Sequence, residues 1–374
     1  MSRRYSLRAP TLGAAQLAIV VSITGAKGAD SLTLNSVDRA APPAPERIET
    51  SDNRQPAGRL EGGVLTVRLE ARNGVWYPEG PSHYGVAVAA FAEEGKPLQN
   101  PGPLVRVKAG TEVRAFVRNS LDKPLTLFGL AETRGLAADS FVVESGAVRE
   151  VRFRAKEPGT YYYAGKTSKA SVFGRVGDDS QLNGAIVVDS TSAEPNDRVF
   201  MISWWAIVNP KSPTGLDRAT IVINGRSWPY TERLDVMQGD SLRWRWINLT
   251  ELDHPLHLHG FYFRVDAVGN GATYTTYGRD EQRRAVTEVV TPGATMALAW
   301  SPTRPGNWVF HCHFVGHISP LVSIGTEKGV PAGPMVMADE QDAGTEAVES
   351  SDHAHHGTGH RQHNMGLYAS RLPD

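Results

Sequence analysis

The sequence predicts an all-β protein built from two tandem β-sandwich or barrel domains, and three observations support this prediction. The chain has 374 residues, which is enough for two domains of ordinary size. Short segments of alternating apolar and polar residues follow one another, separated by many of the 37 Gly and 24 Pro, whereas helical periodicity is weak. The second half also repeats the first. The repeat predicts one domain at about residues 61–192 and another at about 196–330.

The internal repeat extends over three pairs of segments. The paired segments share their apolar alternation and their main turn residues, such as the Gly of the first pair and the Pro-Gly of the third, but only the second copy carries histidines. We therefore expect one fold to occur twice with different chemistry. The pairs are 104–119 (LVRVKAGTEVRAFVRN) with 233–248 (RLDVMQGDSLRWRWIN), 123–129 (KPLTLFG) with 254–260 (HPLHLHG), and 145–166 (SGAVREVRFRAKEPGTYYYAGK) with 292–313 (PGATMALAWSPTRPGNWVFHCH).

Composition narrows the function classes. The net charge is -1, so no basic surplus indicates a nucleic-acid or anionic-membrane partner. The single cysteine, Cys312, excludes a disulfide framework. Its position between two histidines favours metal chemistry over a buried, inert thiol.

The two ends of the chain differ from the repeats. Arg3 and Arg4 precede an apolar run at 12–26 that is too short for a membrane span, which predicts an export signal over 1–29. The signal resembles a twin-arginine signal, with an ordinary secretory signal as the alternative, and it predicts a periplasmic or extracellular protein. Residues 30–60 are polar and Pro-rich and predict a flexible leader. The tail, 331–374, contains five histidines and predicts a flexible segment that either binds copper loosely or is simply solvated.

The segment HPLHLHG places its histidines on two faces. Side chains alternate along a strand, so His257 and His259 share one face. His254 lies before a proline that interrupts the alternation, and it can therefore point elsewhere. One loop can thus contribute to two different metal centres.

The segment HCHFVGH at 311–317 divides in the same way. His311 and His313 share a face, Cys312 points to the opposite one, and His317 can turn back beside the thiol. Together with His254, the thiol and His317 form a two-His, one-Cys group, here called the thiolate set, which is the arrangement of a blue-copper site. The remaining group is all imidazole, which also suits copper. This imidazole set consists of His257, His259, His311 and His313.

The two segments resemble the third and fourth copper-binding motifs of the multicopper oxidases, and the resemblance covers roughly residues 61–330. It implies two tandem cupredoxin-like Greek-key domains with copper as the cofactor. By this resemblance, His254, Cys312 and His317 bind type 1 copper. His257 matches a type 2 position, and His259, His311 and His313 match type 3 positions. Electrons would pass from Cys312 through His311 and His313.

The resemblance implies a copper-binding oxidoreductase that oxidises a donor in one-electron steps at type 1 copper. The donor would be a small molecule, a metal ion or a protein, with no nucleic acid and no membrane span involved. Two-domain members of the family form homotrimers, which is therefore an expectation here. The alternative is a protein that binds, handles or transfers electrons through copper without catalysis.

The first copy departs from the family pattern at every ligand position. Thr126, Phe128, Ala164 and Lys166 stand where the family has histidines, so half of the ligands of a trinuclear cluster are missing. We therefore do not expect complete reduction of O2 at such a cluster. A second departure is Val322, which stands where the family often has a weak axial ligand.

Two further residues are predicted to be structural. Asp139 falls where the family has an acidic residue that supplies protons, but without the cluster an Asp in a turn is the favoured interpretation. His83, alone in its stretch, is expected to be structural or exposed.

Overall fold

The computed structural model describes residues 45–131, 140–192, 196–314, His317 and the backbone of 366–370. These residues form strands β1–β24, and the predicted all-β class is confirmed. Arg3 and Arg4 of the predicted signal, Asp139, Val322 and the five tail histidines lie outside the described residues. Among the residues that are described, no helix is long and apolar enough to cross a membrane.

The first half of the chain packs one seven-stranded sheet against one five-stranded sheet. The larger has the order β1-β5-β4-β3-β7-β10, with β2 on β3, and the smaller has the order β6-β12-β11-β8-β9. The strands are β1 (Glu49–Thr50), β2 (Arg59–Glu61), β3 (Val64–Trp76), β4 (Val86–Glu93), β5 (Gln99–Asn100), β6 (Gly102–Lys108), β7 (Glu112–Asn119), β8 (Leu125–Phe128), β9 (Phe141–Val143), β10 (Val148–Arg154), β11 (Gly159–Lys166) and β12 (Asn183–Asp189).

The second half has the same two-sheet architecture. Its larger sheet has the order β14-β13-β16-β22-β18-β19, with β20 on β18, and its smaller sheet has the order β15-β24-β23-β17-β21. The strands are β13 (Arg198–Val208), β14 (Leu216–Ile223), β15 (Arg233–Asp235), β16 (Leu242–Asn248), β17 (His254–Leu258), β18 (Phe263–Gly269), β19 (Tyr274–Thr276), β20 (Arg283–Ala285), β21 (Thr287–Val290), β22 (Thr295–Trp300), β23 (Trp308–Cys312) and β24 (Gly366–Ser370).

Strand pairing follows the sequence repeat. In the first half, β3 runs parallel to β7, which pairs antiparallel with β10. In the second half, β13 runs parallel to β16, which pairs antiparallel with β22. The smaller sheets also correspond, because β8 lies between β11 and β9 in one sheet and β17 lies between β23 and β21 in the other. The segments KPLTLFG and HPLHLHG therefore occupy equivalent places in the two sheets.

Each half buries its own apolar core between its sheets. In the first half the core includes Leu69, Val113 and Phe153. In the second half, the alternating segment RWRWI lies in β16 and buries Trp244 and Trp246 against the ring of Phe310, whose centroid is 5.0 Å from each indole. This aromatic core supports β23 at the residue before His311, so it fixes the strand that carries the cysteine.

A buried ionic network joins the two halves. Arg106 donates to both carboxylate oxygens of Asp189 at 2.8 and 2.9 Å and to Asp197 at 2.8 Å. Arg245, from the second half, donates to Asp197 at 2.6 Å and to the hydroxyl of Thr160 at 2.8 Å. Because each acid has an arginine within hydrogen-bonding distance, the burial of four charges is compensated. The network holds Asp197, just before β13, against residues of both domains.

Part of the segment predicted as a flexible leader, residues 30–60, packs against the first domain from residue 45 onward. Ile48 is only 3% exposed, and β1 pairs with β5. The Glu46 carboxylate accepts two hydrogen bonds from Arg72 at 2.9 and 2.7 Å. From residue 45 onward, this segment is therefore part of the first domain's packing, because one apolar side chain and one ion pair attach it. The predicted flexible tail differs likewise at β24, whose backbone pairs with β23 and β15.

Candidate metal centre

One asparagine in each half shapes the loop that precedes the repeated motif. The Asn119 side chain donates to the carbonyls of Lys123 and Val143, both at 2.8 Å, and accepts from the Leu121 amide at 3.0 Å. Asn248 makes the equivalent bonds to Leu252 at 2.7 Å, Val290 at 2.9 Å and the Thr250 amide at 2.9 Å. Both side chains are fully buried. The same clamp therefore holds the motif in both domains, although only one of them carries histidines.

A glycine ends each motif for the same physical reason. Gly129 and Gly260 have φ values of 86° and 79°, in the left-handed region. A Cβ at Gly129 would meet the Tyr162 carbonyl at 2.2 Å, and a Cβ at Gly260 would meet the Trp308 ring at 2.4 Å. Only glycine allows the chain to turn this close to the neighbouring strand.

The structure brings the predicted thiolate set together. The ligand atoms of His254, Cys312 and His317 all lie within 4.8 Å of one another. Cys312 Sγ is 3.3 Å from His317 Nδ1, and the ring centroids of the two histidines are 4.7 Å apart. His254 and Cys312 are buried. One sulfur and two imidazoles thus converge on a single point below the surface.

Hydrogen bonding fixes which nitrogen of His254 faces this point. The Thr250 hydroxyl donates to Asn248 Oδ1 at 2.8 Å, so its oxygen accepts from His254 Nε2, 2.9 Å away. His254 Nε2 therefore carries the proton. Nδ1 keeps its lone pair, and this buried atom has no hydrogen-bond partner among the described residues. An oriented, unpartnered lone pair beside a thiol fits a metal ion.

Burial keeps the thiolate set uncharged in the absence of metal. Desolvation, with a smaller contribution from His317, lowers the pKa of His254 to about 3. Burial also lowers the pKa of His317 and raises the pKa of the Cys312 thiol to about 11. Neutral imidazoles are ready ligands, whereas the thiol must release its proton to bind a metal. Only a cation that binds thiolate strongly can drive that release, and copper is such a cation.

The structure also gathers most of the imidazole set. The ligand atoms of His257, His259 and His311 lie within 4.8 Å of one another, and His259 Nε2 is 2.9 Å from His311 Nε2. His313 is outside this group of three, although its ring centroid is 5.1 Å from that of His257 and 5.7 Å from that of His311. The set is less buried than the thiolate set, with His257 and His259 half-buried and His313 exposed.

Backbone and hydroxyl groups orient the imidazole set. His311 Nδ1 lies 2.7 Å from the Cys312 carbonyl, which can only accept, so this nitrogen carries the proton and Nε2 is free as a ligand. His257 Nδ1 is 2.7 Å from the Thr287 hydroxyl. Burial lowers the pKa of His311 to about 4, and the hydrogen bond to the Cys312 carbonyl opposes this only in part. His311 is therefore a neutral ligand at ordinary pH.

The two sets are adjacent along the chain and across the sheet. Cys312 belongs to the thiolate set, while its neighbours His311 and His313 belong to the imidazole set. The backbone holds this division, because the His313 amide donates to the Pro255 carbonyl at 2.7 Å and Leu256 pairs with Cys312. Opposite faces of one strand thus present a thiol and imidazoles one residue apart.

The equivalent positions of the first domain are filled by the protein itself. Phe128 packs with Ala164 and Val172 in a small buried cluster. Lys166 Nζ donates to the Ala170 carbonyl at 2.9 Å. Within the described residues no metal-binding group includes Thr126 or any other residue of the first domain.

A buried arginine organises the loop of the first domain that corresponds to the cysteine loop of the second. Arg175 donates to the carbonyls of Val172, Gly165, Asp179 and Leu182. Burial lowers its pKa to about 10, opposed by the nearby Asp179 carboxylate. The Arg175 guanidinium therefore holds the loop between β11 and β12 together through hydrogen bonds. In the second domain, the thiolate set lies at the corresponding loop.

Sequence reasoning missed these supporting residues. The repeat displayed Asn119 and Asn248, but not their role as clamps. Nothing in the spacing distinguished Thr250 from other loop hydroxyls, or Arg175 from solvated arginines. His83 belongs to neither set and lies with its ring centroid 6.2 Å from that of Tyr230.

Comparison with known sequences finds similarity to a copper-protein family in the second domain. A profile of the family described as "Multicopper oxidase" matches residues 205–321. A probable nitrite reductase-hydroxylamine oxidoreductase fusion protein from Kuenenia stuttgartiensis is 26% identical over 294 residues, which is 70% of this chain and 30% of that protein. Laccase-3 from Botryotinia fuckeliana is 28% identical over 172 residues, which is 40% of this chain and 36% of the laccase. The chain thus spans about a third of the length of these two relatives.

Solved structures support the fold. A blue copper oxidase from Nitrosomonas europaea superposes with a TM-score of 0.55 at 23% identity, over 68% of this chain and 80% of the other. A copper nitrite reductase from the same organism has a TM-score of 0.52 at 20% identity, over 68% and 90% of the two chains. These likenesses establish two cupredoxin-like domains. The profile match adds that residues 205–321, which carry the grouped histidines and the cysteine, are similar to a multicopper oxidase domain.

Proposed function

We propose that this protein is a copper oxidoreductase that takes single electrons from a donor at a type 1 copper bound by the thiolate set. The observation that carries the proposal is the convergence of a buried sulfur, the buried imidazole of His254 and the half-buried imidazole of His317, with His254 Nδ1 left unpartnered among the described residues. Copper bound there would supply reversible one-electron chemistry. The surrounding residues exclude water and hold the ligands, while Thr250 keeps the proton of His254 on the nitrogen that faces away.

The surface beside the thiolate set supports an electron donor that docks through apolar contacts. Phe314 is 48% exposed, and its ring centroid is 5.4 Å from that of His317. Val289 is 49% exposed and pairs with Pro255, next to His254. Exposed apolar side chains around a buried ligand set are typical of a contact surface. A phenolic molecule or an apolar patch of a protein fits this surface.

Cys312 would hold the type 1 copper, and its chain neighbours His311 and His313 would hold metal in the imidazole set, so the backbone between them would offer a short path for an electron. The missing ligands of the first domain argue against complete reduction of O2 at a trinuclear cluster. The three grouped imidazoles of the imidazole set favour a single bound copper, which would offer a binding position to a small acceptor. Nitrite is one candidate for that acceptor, because the relative from Kuenenia stuttgartiensis is named a probable nitrite reductase fusion protein and one structural neighbour is named a copper nitrite reductase.

Two predictions accompany the proposal, and one alternative stands beside it. Export through a twin-arginine-like signal and assembly as a homotrimer stay predictions from the sequence and the family resemblance. The alternative function is copper binding or handling, or electron transfer, without catalysis.

The test is the metal content, visible spectrum and EPR spectrum of the full chain after copper loading. We expect an intense visible charge-transfer band and a type 1 EPR signal, both lost in Cys312→Ser. His259→Ala should retain the visible band and lose the copper of the imidazole set. Copper uptake without the visible band would favour copper handling, whereas a coupled copper pair detected near the imidazole set would overturn the argument from missing ligands.

A further inference from the structure

A cleft far from both histidine sets in sequence lies where three segments of the chain meet. Its volume is about 580 Å³, which is within the usual range of small-molecule sites. The N-terminal segment around β1 forms one wall, the turn after β3 forms another, and the loop after β14 forms the third. The polar and aromatic lining consists of Arg47, Glu49, Thr50, Tyr77, Arg226 and Tyr230.

The two arginines of the cleft form no ion pair among the described residues. Arg47 lies over the Tyr77 ring, with its guanidinium carbon 5.1 Å from the ring centroid. Arg226 donates through Nε to the Thr50 hydroxyl at 2.9 Å, which leaves its two terminal nitrogens for another acceptor. The planar fork of a guanidinium matches a carboxylate. Two such groups beside one cavity favour an anion there.

The remaining walls are flat and largely apolar. Tyr77 and Tyr230 contribute aromatic rings, and Pro78 and Pro81 contribute pyrrolidine rings. Gly80 has a φ of 88°, and a Cβ there would meet the Tyr230 ring at 2.6 Å, so the missing side chain lets that ring lie against the backbone. Flat apolar walls suit a planar ring better than a hydrated inorganic anion.

Backbone hydrogen bonds hold the walls in place. The Trp76 indole donates to the Gly225 carbonyl at 2.8 Å, and the Ser227 amide donates to the Pro78 carbonyl at 3.0 Å. The Tyr230 amide donates to the Ser227 carbonyl at 2.8 Å. The two walls are thus tied across the domain boundary, and a ligand would not have to order them.

We propose that this cleft binds a small planar aromatic monocarboxylate, such as a hydroxybenzoate. The carboxylate binds between the guanidinium groups of Arg47 and Arg226, and the ring stacks between the tyrosines. Glu49, the one acid of the lining, disfavours a second negative charge on the ligand. The inference does not depend on copper, because the lining contains no residue of the thiolate or imidazole sets.

Isothermal titration of the full chain with 4-hydroxybenzoate tests the proposal. We expect saturable 1:1 binding, no saturable binding of the uncharged 4-hydroxybenzyl alcohol, and none of inorganic phosphate. Arg226→Gln and Tyr230→Ala should each weaken binding by about tenfold, the effect of losing about 1.4 kcal/mol of contact free energy. Arg279→Gln, at an exposed arginine away from the cleft, is the matched control and should bind like the parent.

Several outcomes would overturn the proposal. They are the absence of saturable binding, phosphate binding as tightly as the aromatic acid, and an equal effect of Arg279→Gln and Arg226→Gln. Circular dichroism and thermal unfolding of each variant show whether it is folded. If Tyr230→Ala fails to fold, Tyr230→Leu replaces it, because leucine keeps an apolar wall but removes the ring. Cys312→Ser should bind 4-hydroxybenzoate like the parent.

Discussion

Replacing Thr250 by valine tests how the thiolate set is prepared for copper. The change keeps the shape of the side chain but removes the hydroxyl that accepts from His254 Nε2 at 2.9 Å. The Thr250 amide still donates to Asn248 Oδ1 at 2.9 Å, so the clamp on the loop remains. The substitution therefore acts on the orientation and tautomer of one ligand. It also removes the acceptor of the Leu252 amide, which donates to the same hydroxyl at 3.1 Å, while the Asn248 side chain still holds the loop.

The magnitude follows from burial. Thr250, Asn248 and His254 are all fully buried, so water cannot replace the lost partner. A buried polar group left unpaired costs about 1–3 kcal/mol. Part of this appears as lower stability of the metal-free protein. The rest appears as weaker copper binding, because the metal must now select one orientation of a freer ring. Loss of such a supporting partner lowers metal affinity by about 10–100-fold.

The assay is competition for Cu(I) against a chelator of known affinity, followed by the visible spectrum after oxidation. Thr250→Val should bind copper at least about tenfold more weakly, with a shifted or broadened band. Thr250→Ser keeps the hydroxyl and should restore the parent affinity. Thr287→Val removes the partner of His257 in the other set and should leave the band unchanged. Parent-like affinity and spectrum in Thr250→Val would refute the assignment of His254 Nδ1 as an oriented ligand.

Three further predictions concern the stability of the two domains. Arg175→Met should lower the free energy of unfolding by about 3–5 kcal/mol in chemical denaturation, because it removes the guanidinium donor of four buried carbonyls, of which those of Asp179 and Leu182 also accept from a backbone amide, and a change below about 1 kcal/mol would contradict that role. For Asp197, burial alone would raise the pKa, but Arg245 and Arg106 outweigh it and hold the pKa below its ordinary value of 3.8. Stability from this carboxylate is therefore present above that ordinary value and lost as the pH falls through the lower folded-state pKa. Asp197→Asn should cost about 1–3 kcal/mol at neutral pH and flatten the acid limb of the stability profile, and an unchanged limb would argue against the network. Gly260→Ala should lower stability by about 1–3 kcal/mol, and clearly more than Gly239→Ala, which has a positive φ but open space around it; equal effects would exclude the steric argument.

Local pattern was sufficient for the fold class and for the grouping of the ligands. Alternation along a strand separated Cys312 from His311 and His313. The internal repeat matched whole segments, so it also predicted equivalent places for KPLTLFG and HPLHLHG. These features depend only on residues that are close in sequence, because successive side chains of a strand point to alternate faces.

Features that depend on distant partners could not be predicted in this way. Glu46 and Ile48 lie in a stretch whose composition is that of a leader, and only Arg72 and the first domain's sheet attach them. Arg175 has no periodic signature, because its partners are backbone carbonyls of a folded loop. Thr250 is one hydroxyl among many until Asn248 fixes its donor direction. Such residues act through geometry that exists only after the chain has folded.

The paired asparagine clamps have a consequence for the way the protein acquires metal. In the first domain, Asn119 holds its loop although the described residues offer no ligand there. The same clamp in the second domain therefore does not need a bound ion to form. Folding and copper binding can therefore occur at separate times. We expect a cell short of copper to accumulate folded, colourless protein that can bind copper later. Soluble yield should be insensitive to the copper supply, while the coloured fraction should follow it.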